Sequence, residues 1–298
     1  MAFKRVVEVS FGPPGAKGTV VKDLYMTFTV DQGQPNQAAP GDVKIYNLGA
    51  DLHDQFAKIG NVLQIRAGYE DENGAVPLFT GRVWKTTRIR QQADWISELF
   101  ANDMPANGEG SFILQPYSCS YDGRVSVAQV LIDLMNFTGM PISGIDDVPA
   151  DAFYQNGFTF GPGYIESLLQ KVVVAKLGWL PPTTYNGVLY ISDKTKLPTV
   201  SAPLLTAETG LLLEPEKQDD SQQLMAEQVA GALGIMQRYK ITTLLMPQIR
   251  PMSAVSIKSK TFTGMQWVET VHHTGDNRGG DFRTEAIVSN IALPAPTG

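Results

Sequence analysis

His272 and His273, with Asp276 three residues further on, come nearest to a metal-binding or acid–base cluster in this chain. Adjacent residues of a strand point to opposite faces, so the two imidazoles cannot share one ion. Two ligands without a third in register make a poor zinc site, and the segment reads as a strand running into a polar turn. Gly275-Asp276-Asn277-Arg278-Gly279-Gly280-Asp281 has the composition of a calcium or phosphate loop. A phosphate cradle needs a helix to follow it, whereas Phe282-Arg283-Thr284 has strand character, so a hairpin loop is expected. Gly12-Pro13-Pro14-Gly15 is a turn signal with no lysine in the Walker position. The acid pairs Asp146/Asp147 and Asp219/Asp220 have no spacing that sets two carboxylates across a cleft. Ser111, Ser118 and Ser120 have no histidine nearby and no nucleophile-elbow motif. Cys119 is the one cysteine, which excludes an internal disulfide and points to a thiol made in a reducing compartment. The expectation is a protein with no catalytic residues, no cofactor and no metal.

The elements that should carry such residues show a different pattern. Phe79-Thr80-Gly81-Arg82-Val83-Trp84-Lys85-Thr86-Thr87 returns as Phe262-Thr263-Gly264-Met265-Gln266-Trp267-Val268-Glu269-Thr270, with Phe, Thr, Gly, Trp and the last Thr in common. Upstream, Leu63-Gln64-Ile65-Arg66 faces Val255-Ser256-Ile257-Lys258; downstream, Asp94-Trp95-Ile96-Ser97-Glu98 faces Asp281-Phe282-Arg283-Thr284-Glu285. A chain that carries one β unit twice is expected to be an assembly part. Phe79 and Trp84, like Phe262 and Trp267, are five apart and so on opposite faces of a regular strand. A bulge at Gly81 and Gly264 is expected to bring both aromatics to the core.

The chain has 298 residues, enough for two or three domains, and its 43% hydrophobic and 18% charged content is that of a globular protein. A formal charge of −6 argues against a surface that binds nucleic acid along its whole extent, and suits the wall of a channel through which DNA passes. No run of about 18 apolar residues is present, so no transmembrane helix is expected. The opening Met1-Ala2-Phe3-Lys4-Arg5-Val6-Val7-Glu8 lacks the apolar stretch of a signal peptide, which predicts synthesis in the cytoplasm.

Residues 1–105 read as mostly β, with Leu24, Met26, Phe28 and Val30 in strict alternation. Leu52, Phe56 and Ile59 predict the buried face of a short helix. Residues 106–200 read as α+β. Ser126 caps a helix that Gly139 ends, a second helix runs from about Tyr164 to Leu177, and Asn186-Gly187 turns a hairpin. Residues 201–298 return to strands, beginning with Gly210 to Glu214, and an inserted helix is expected near 221–236. The fold class is therefore mainly β with an α+β middle.

Two stretches resemble the baseplate hub proteins of contractile-tailed bacteriophages, the late-control D or tail hub family, with relatives among spike-associated parts of secretion machines. The first is Val43-Lys44-Ile45-Tyr46-Asn47-Leu48, then Gly60 through Tyr69, then Leu78-Phe79-Thr80-Gly81. The second is Thr209-Gly210-Leu211-Leu212-Leu213-Glu214-Pro215, then Leu244 through Pro251, then Gly264, Val271-His272-His273-Thr274-Gly275-Asp276 and Asp281-Phe282-Arg283-Thr284. Phe282 stands where the family pattern has Trp, and Ser221 to Met236 looks inserted. The resemblance implies two tail-tube-like β-barrel domains, 1–105 and 201–298, flanking the 106–200 module. It implies a structural virion protein: a homotrimeric hub whose pseudo-sixfold ring adapts a hexameric tail tube to a trimeric spike and surrounds the DNA channel. Expected partners are the tail tube protein, the spike protein and other baseplate proteins, with no sequence-specific nucleic acid and no membrane insertion. Two other readings are a tail-associated cell-wall hydrolase and a glycan-binding tail module using Tyr154, Phe158 and Phe160.

Overall fold

The structure, a computed structural model, describes residues 4–16, 18–33, 38–71, 74–103, 116–193, 202–218 and 235–291. Strands make up 52% of the described residues and helices 13%, so the fold is mainly β. The first part carries β1 (Arg5–Gly12), β2 (Thr19–Val21), β3 (Met26–Gln32), β4 (Pro40–Tyr46), helix α1 (Ala50–Phe56), β5 (Val62–Tyr69), β6 (Gly74–Gln91) and β7 (Asp94–Asn102). The middle carries β8 (Pro116–Tyr121), β9 (Val125–Ser126), α2 (Val127–Thr138), β10 (Ile142–Ser143), β11 (Phe153–Tyr154), β12 (Phe158–Tyr164), α3 (Ile165–Leu169, continued by a π-helix over Gln170–Lys176), β13 (Thr183–Tyr185) and β14 (Val188–Tyr190). The last part holds β15 (Leu204–Leu205), β16 (Glu216–Lys217), β17 (Ile235–Leu244), β18 (Ala254–Lys258), β19 (Thr263–Asp276) and β20 (Phe282–Ile291).

Alternation of apolar and polar residues produces these strands. In β3 the side chains of Met26, Phe28 and Val30 are buried and those of Thr27, Thr29 and Asp31 half-buried, one set per face. Strands of the first and last parts belong to one 13-stranded sheet with the order β16-β17-β20-β19-β3-β4-β7-β6-β5-β1-β2, and β15-β18 attached to β19. The two expected β units thus meet edge to edge. The order β3-β4-β7-β6-β5 is repeated as β16-β17-β20-β19-β18, antiparallel throughout. Three apolar cores result. One lies under β1 to β7 and takes in Leu245 and Phe282 from the far end; one lies within residues 117–191; one runs from Leu205 to Val288.

Several local expectations need correction. Leu52 and Ile59 are exposed, and the Phe56 side chain lies outside the described residues; α1 instead buries His53, whose Nδ1 meets Ser97 Oγ at 3.0 Å across the sheet. Within 210–214 only Leu211 makes a bridge, to Thr243, and the strand proper is β16. Of the helix expected near 221–236, residues 221–234 lie outside the described residues and Ile235-Met236 open β17.

The paired aromatics do not occupy equivalent places. Val83 pairs with Ala101 and Lys85 with Phe100, so Trp84 is the extra residue of a bulge. Val268 pairs with Val288 and Thr270 with Ile287, so in β19 the extra residue is Glu269. Trp267, opposite Ala254 and Ser289, therefore stands where Arg82 stands, opposite Val62 and Asn102. The flanking runs do correspond as the sequence aligns them. Leu63 opposes Gly81 as Val255 opposes Gln266, and Glu98 opposes Thr87 as Glu285 opposes His272. The Phe-Thr-Gly run is thus shifted by two residues within a correctly matched unit.

Neither Gly81 nor Gly264 is at the bulge. A Cβ at Gly41 or at Gly81 would lie 2.5 Å from the Phe79 ring, so these two glycines form the slot that takes the ring. Gly264 has φ 155 and stands in the place of Phe79, while Phe262 packs against Tyr239 at 4.7 Å. Phe79 is fully buried and Trp267 5% exposed, whereas Trp84 is 53% exposed. Phe79→Ala and Trp267→Ala are each expected to cost about 3–5 kcal/mol. Trp84→Ala should cost about 1 kcal/mol or less, as for other exposed positions. Thermal melting of the three variants checks the contrast; equal losses for Trp84 and Phe79 would contradict this register.

Candidate functional site

The described residues hold no group of three or more metal-ligating side chains, and what they concentrate instead is a seam between the two sheet units. There β19 pairs with β3 over Val271–Asp276 and Gln32–Thr27, taking the side that β18 leaves after Trp267. Gly275 is required at this joint, since a Cβ would lie 2.0 Å from the Phe28 ring. Phe282 packs edge-on to Tyr69 at 5.3 Å and to Phe28 at 6.4 Å. The loop 275–281 is a hairpin loop as expected, and it also clasps the first unit. Arg5 Nη1 donates to the carbonyls of Asp276 (2.9 Å) and Gly280 (2.7 Å), and the Tyr25 hydroxyl donates to Asp276 Oδ2 at 2.9 Å. Asn277 accepts from the Met26 N–H at 3.0 Å and donates to the Leu24 carbonyl at 2.8 Å. Arg5, Tyr25 and Asp31 belong to no motif, and only their tertiary partners show their role.

The two histidines take opposite faces of β19, as strand geometry requires. His273 is 1% exposed, with Nδ1 2.9 Å from Thr284 Oγ1, and desolvation lowers its pKa to about 3. His272 faces the open side, its Nδ1 2.5 Å from Asp31 Oδ1 across the seam and its Nε2 2.9 Å from Thr274 Oγ1. The hydrogen bond to Asp31 raises its pKa, with Glu285 adding to the effect and Arg283 opposing it. A shallow cavity of about 110 Å³ lies here among Asp31, Lys240, His272 and Glu285. On the same face the cations are matched by acids: Lys44 with Glu98 (3.0 Å), Lys240 with Glu285 (2.8 Å) and Arg238 with Glu269 (3.0 Å).

The middle module is fastened to the first unit by the tip of the β13–β14 hairpin. Asn186 Oδ1 accepts from the Thr80 N–H at 2.9 Å, where β6 has no β7 partner, and Asp103 Oδ1 accepts from the Ala39 N–H and the Thr184 hydroxyl. Asp103 is fully buried and its Oδ2 has no hydrogen-bond partner among the described residues. Desolvation raises its pKa to about 7.

Between the middle module and the last part lies a cleft of about 680 Å³ walled by Tyr185, Tyr190, Arg250, Pro251 and Met252. Its lining holds one acid, Asp147, and no histidine or cysteine, so it has no acid–base pair. Of the other candidates, Asp146 and Asp147 lie in a short 3-10 turn, while Ser111, Asp219 and Asp220 lie outside the described residues. Ser120 Oγ meets only Thr159 Oγ1, at 3.2 Å. The aromatics considered for glycan binding are packed inward: Phe158 is buried, Tyr154 lies 4.3 Å from its ring, and Phe160 packs against the same core.

Two titrations follow from this geometry. His272, with a raised folded pKa, stabilises the seam fully below the unfolded value near 6.5 and loses that contribution as pH rises through its folded pKa. In a proton NMR titration His272 should titrate above 6.5 and drop in Asp31→Asn, while His273 stays neutral throughout. Asp103 has the opposite consequence for an acid. Its folded pKa of about 7 exceeds the ordinary 3.8, so the folded state binds the extra proton and stability falls as pH rises through that window. Asp103→Asn should flatten the decline and melt higher than wild type at pH 8; an unchanged pH slope would contradict the buried-carboxylate assignment.

No family model matches the chain, and no curated protein matches its sequence. Solved structures do match in fold. A tail protein from Neisseria meningitidis has a TM-score of 0.63 at 12% identity, covering 95% of this chain and 96% of its own. The prophage MuSo2 43 kDa tail protein from Shewanella oneidensis has a TM-score of 0.61 at 11% identity, with the same coverage of 95% and 96%. An Escherichia coli component of the type VI secretion system, described as structurally similar to the T4 bacteriophage tail proteins gp27 and gp5, has a TM-score of 0.59 at 8% identity over 93% of this chain and 76% of its own. The chain thus has the fold shared by these phage tail proteins and this secretion-system component.

Proposed function

We propose that the protein is a structural, non-enzymatic component of a phage tail baseplate: a hub that forms a homotrimeric ring. The repeated strand order, β3-β4-β7-β6-β5 and β16-β17-β20-β19-β18, carries this reading. Two near-equivalent sheet units per chain give three chains six such units, which matches a hexameric tail tube on one side. The ring keeps threefold symmetry for a trimeric spike on the other. Under this reading the chain divides at 1–105, 106–200 and 201–298, the outer two being tube-like domains. The tail tube protein, the spike protein and other baseplate proteins are its partners in the virion, after synthesis in the host cytoplasm.

The open face of the joined sheet, we infer, is turned towards the DNA channel. Lys44, Arg238 and Lys240 on it are paired with Glu98, Glu269 and Glu285, which reduces the positive charge that phosphates would meet. The lining of the 680 Å³ cleft holds one acid and no histidine or cysteine, which favours a scaffold over a hydrolase there. Native mass spectrometry of the purified chain at high concentration is expected to give three copies. A stable monomer or dimer under those conditions would remove the ring.

A further inference from the structure

The buried end of β7 holds two polar atoms that the fold leaves without an explanation. Asp103 follows β7, its N–H donating to the Ala39 carbonyl at 2.9 Å. Carrying the β3–β4 register two residues beyond Val30 and Gly41 sets Gln32 opposite Ala39. Gln32, Ala39 and Asp103 thus share one rung and one face, the buried face of Val30, Gly41 and Ala101, and all three are buried. The residue between the two polar side chains is an alanine. Gln32 Oε1 and Asp103 Oδ2 are both out of solvent, with no hydrogen-bond partner among the described residues.

We propose that a proton latches the middle module to the first unit: Asp103 Oδ2 carries it, hydrogen-bonded to Gln32 Oε1, and its loss to water frees the β13–β14 hairpin that covers the pair. The latch works inside one chain and stands whether or not three chains form a ring.

Three observations carry the assignment. The first is that both orphaned atoms are acceptors. Gln32 Nε2 donates to the Leu78 carbonyl at 3.1 Å, which fixes the amide and leaves Oε1 over. Asp103 Oδ1 already accepts from the Ala39 N–H and the Thr184 hydroxyl. An ionised Oδ2 would leave two bare acceptors in the interior, whereas one proton on Oδ2 satisfies both. The second is the cover. Thr183, Thr184 and Tyr185 of β13 are all buried, and the Thr184 hydroxyl joins the hairpin to the carboxyl at 3.2 Å. The third is room. Past the hairpin tip, where Asn186 Oδ1 takes the Thr80 N–H, the cleft of about 680 Å³ opens beside Tyr185 and Tyr190, so the hairpin has space to move away.

The charged groups of the surrounding strands lie elsewhere. Asp31 on β3, Asp42 and Lys44 on β4, Arg82 on β6 and Glu98 on β7 alternate onto the opposite face of the sheet. From the module, β13 presents Tyr185, whose ring lies 5.7 Å from the Arg250 guanidinium at the cleft. Desolvation is the main cause that lifts the Asp103 pKa to about 7, opposed by the Ala39 N–H, the Thr184 hydroxyl and its own N–H. Ionisation therefore sets a bare anion beneath the hairpin, and hydrating it requires β13 to move off. Once hydrated, the carboxyl returns towards the ordinary 3.8. The docked form binds the proton more tightly, so docking is strongest in acid. It weakens about tenfold per pH unit between the two values and levels above about 7.

Hydrogen exchange of the full chain tests this. It is read at the Thr80 amide, which the hairpin tip holds, and along β13–β14, with the β3–β4 amides as reference and rates corrected for the intrinsic effect of pH. Protection of Thr80 and the hairpin should fall about a hundredfold between about pH 5 and pH 7 and stay level above, while the reference amides keep theirs. Asp103→Asn, whose amide N–H can donate to Gln32 at every pH, should abolish the fall. Gln32→Glu should carry the fall about one pH unit higher or more, because two carboxyls in contact share one proton and hold it more tightly. A pH-independent Thr80 amide, a fall that survives in Asp103→Asn, an unmoved fall in Gln32→Glu, or a parallel loss along β3–β4 each overturns the latch. Protection regained at high pH on adding sodium, magnesium or calcium chloride also overturns it, since the oxygens would then hold a cation in place of the proton.

Discussion

Backbone hydrogen bonding along β19 is the constraint on which the rest of the structure depends. An unpaired strand flank leaves N–H and C=O groups that must find partners, and β18 covers this strand only as far as Trp267. β3, from the opposite end of the chain, supplies the remainder through Val271–Asp276. That single borrowing turns two sheet units into one sheet and fixes their relation. It also explains residues that would otherwise be unremarkable. Gly275 leaves room for Phe28, Phe282 reaches the first core, and Asn277 and Arg5 close the loop over the joint.

The joined sheet has two faces with different chemistry. Buried apolar side chains line one of them in two cores, the first of which also takes in Leu245 and Phe282 from the last part. Ion pairs and half-buried threonines line the other, which stays hydrated. The middle module leaves this arrangement undisturbed. It touches the first unit at the hairpin tip, where Asn186 meets Thr80, and at Asp103, which meets Thr184. The repeated unit is therefore the scaffold, and the module is an addition to one copy of it.

Much of the local structure was legible along the chain. Alternation placed β3, and its Met26, Phe28 and Val30 are buried. Ser126 caps α2 by accepting from the Gln129 N–H at 3.1 Å, and Gly139 ends it with φ 66. Asn186 and Gly187 take φ 51 and 76, as the turn they were expected to make requires. The Phe-Thr-Gly and Trp match pointed to a duplicated unit but to the wrong register within it. A shift by two residues keeps each side chain on its original face, so the hydrophobic pattern cannot distinguish the two alignments. Hydrogen-bond pairing across β5, β7, β18 and β20 does distinguish them. The buried face of α1 was missed because a seven-residue helix packs through whichever side chains find partners, here His53 on Ser97.

By itself the sequence determined the β-rich class, the α+β middle, the hairpins and caps, and pointed to the duplication. Each of these is set by residues near one another along the chain, or by composition. Tertiary structure alone decided that the two units share one sheet, that His272 meets Asp31 across their joint, and that Trp84 is exposed while Trp267 is buried. These outcomes depend on which distant strand satisfies which edge. Strand edges carry the same N–H and C=O groups whatever their side chains, so no local pattern records that choice.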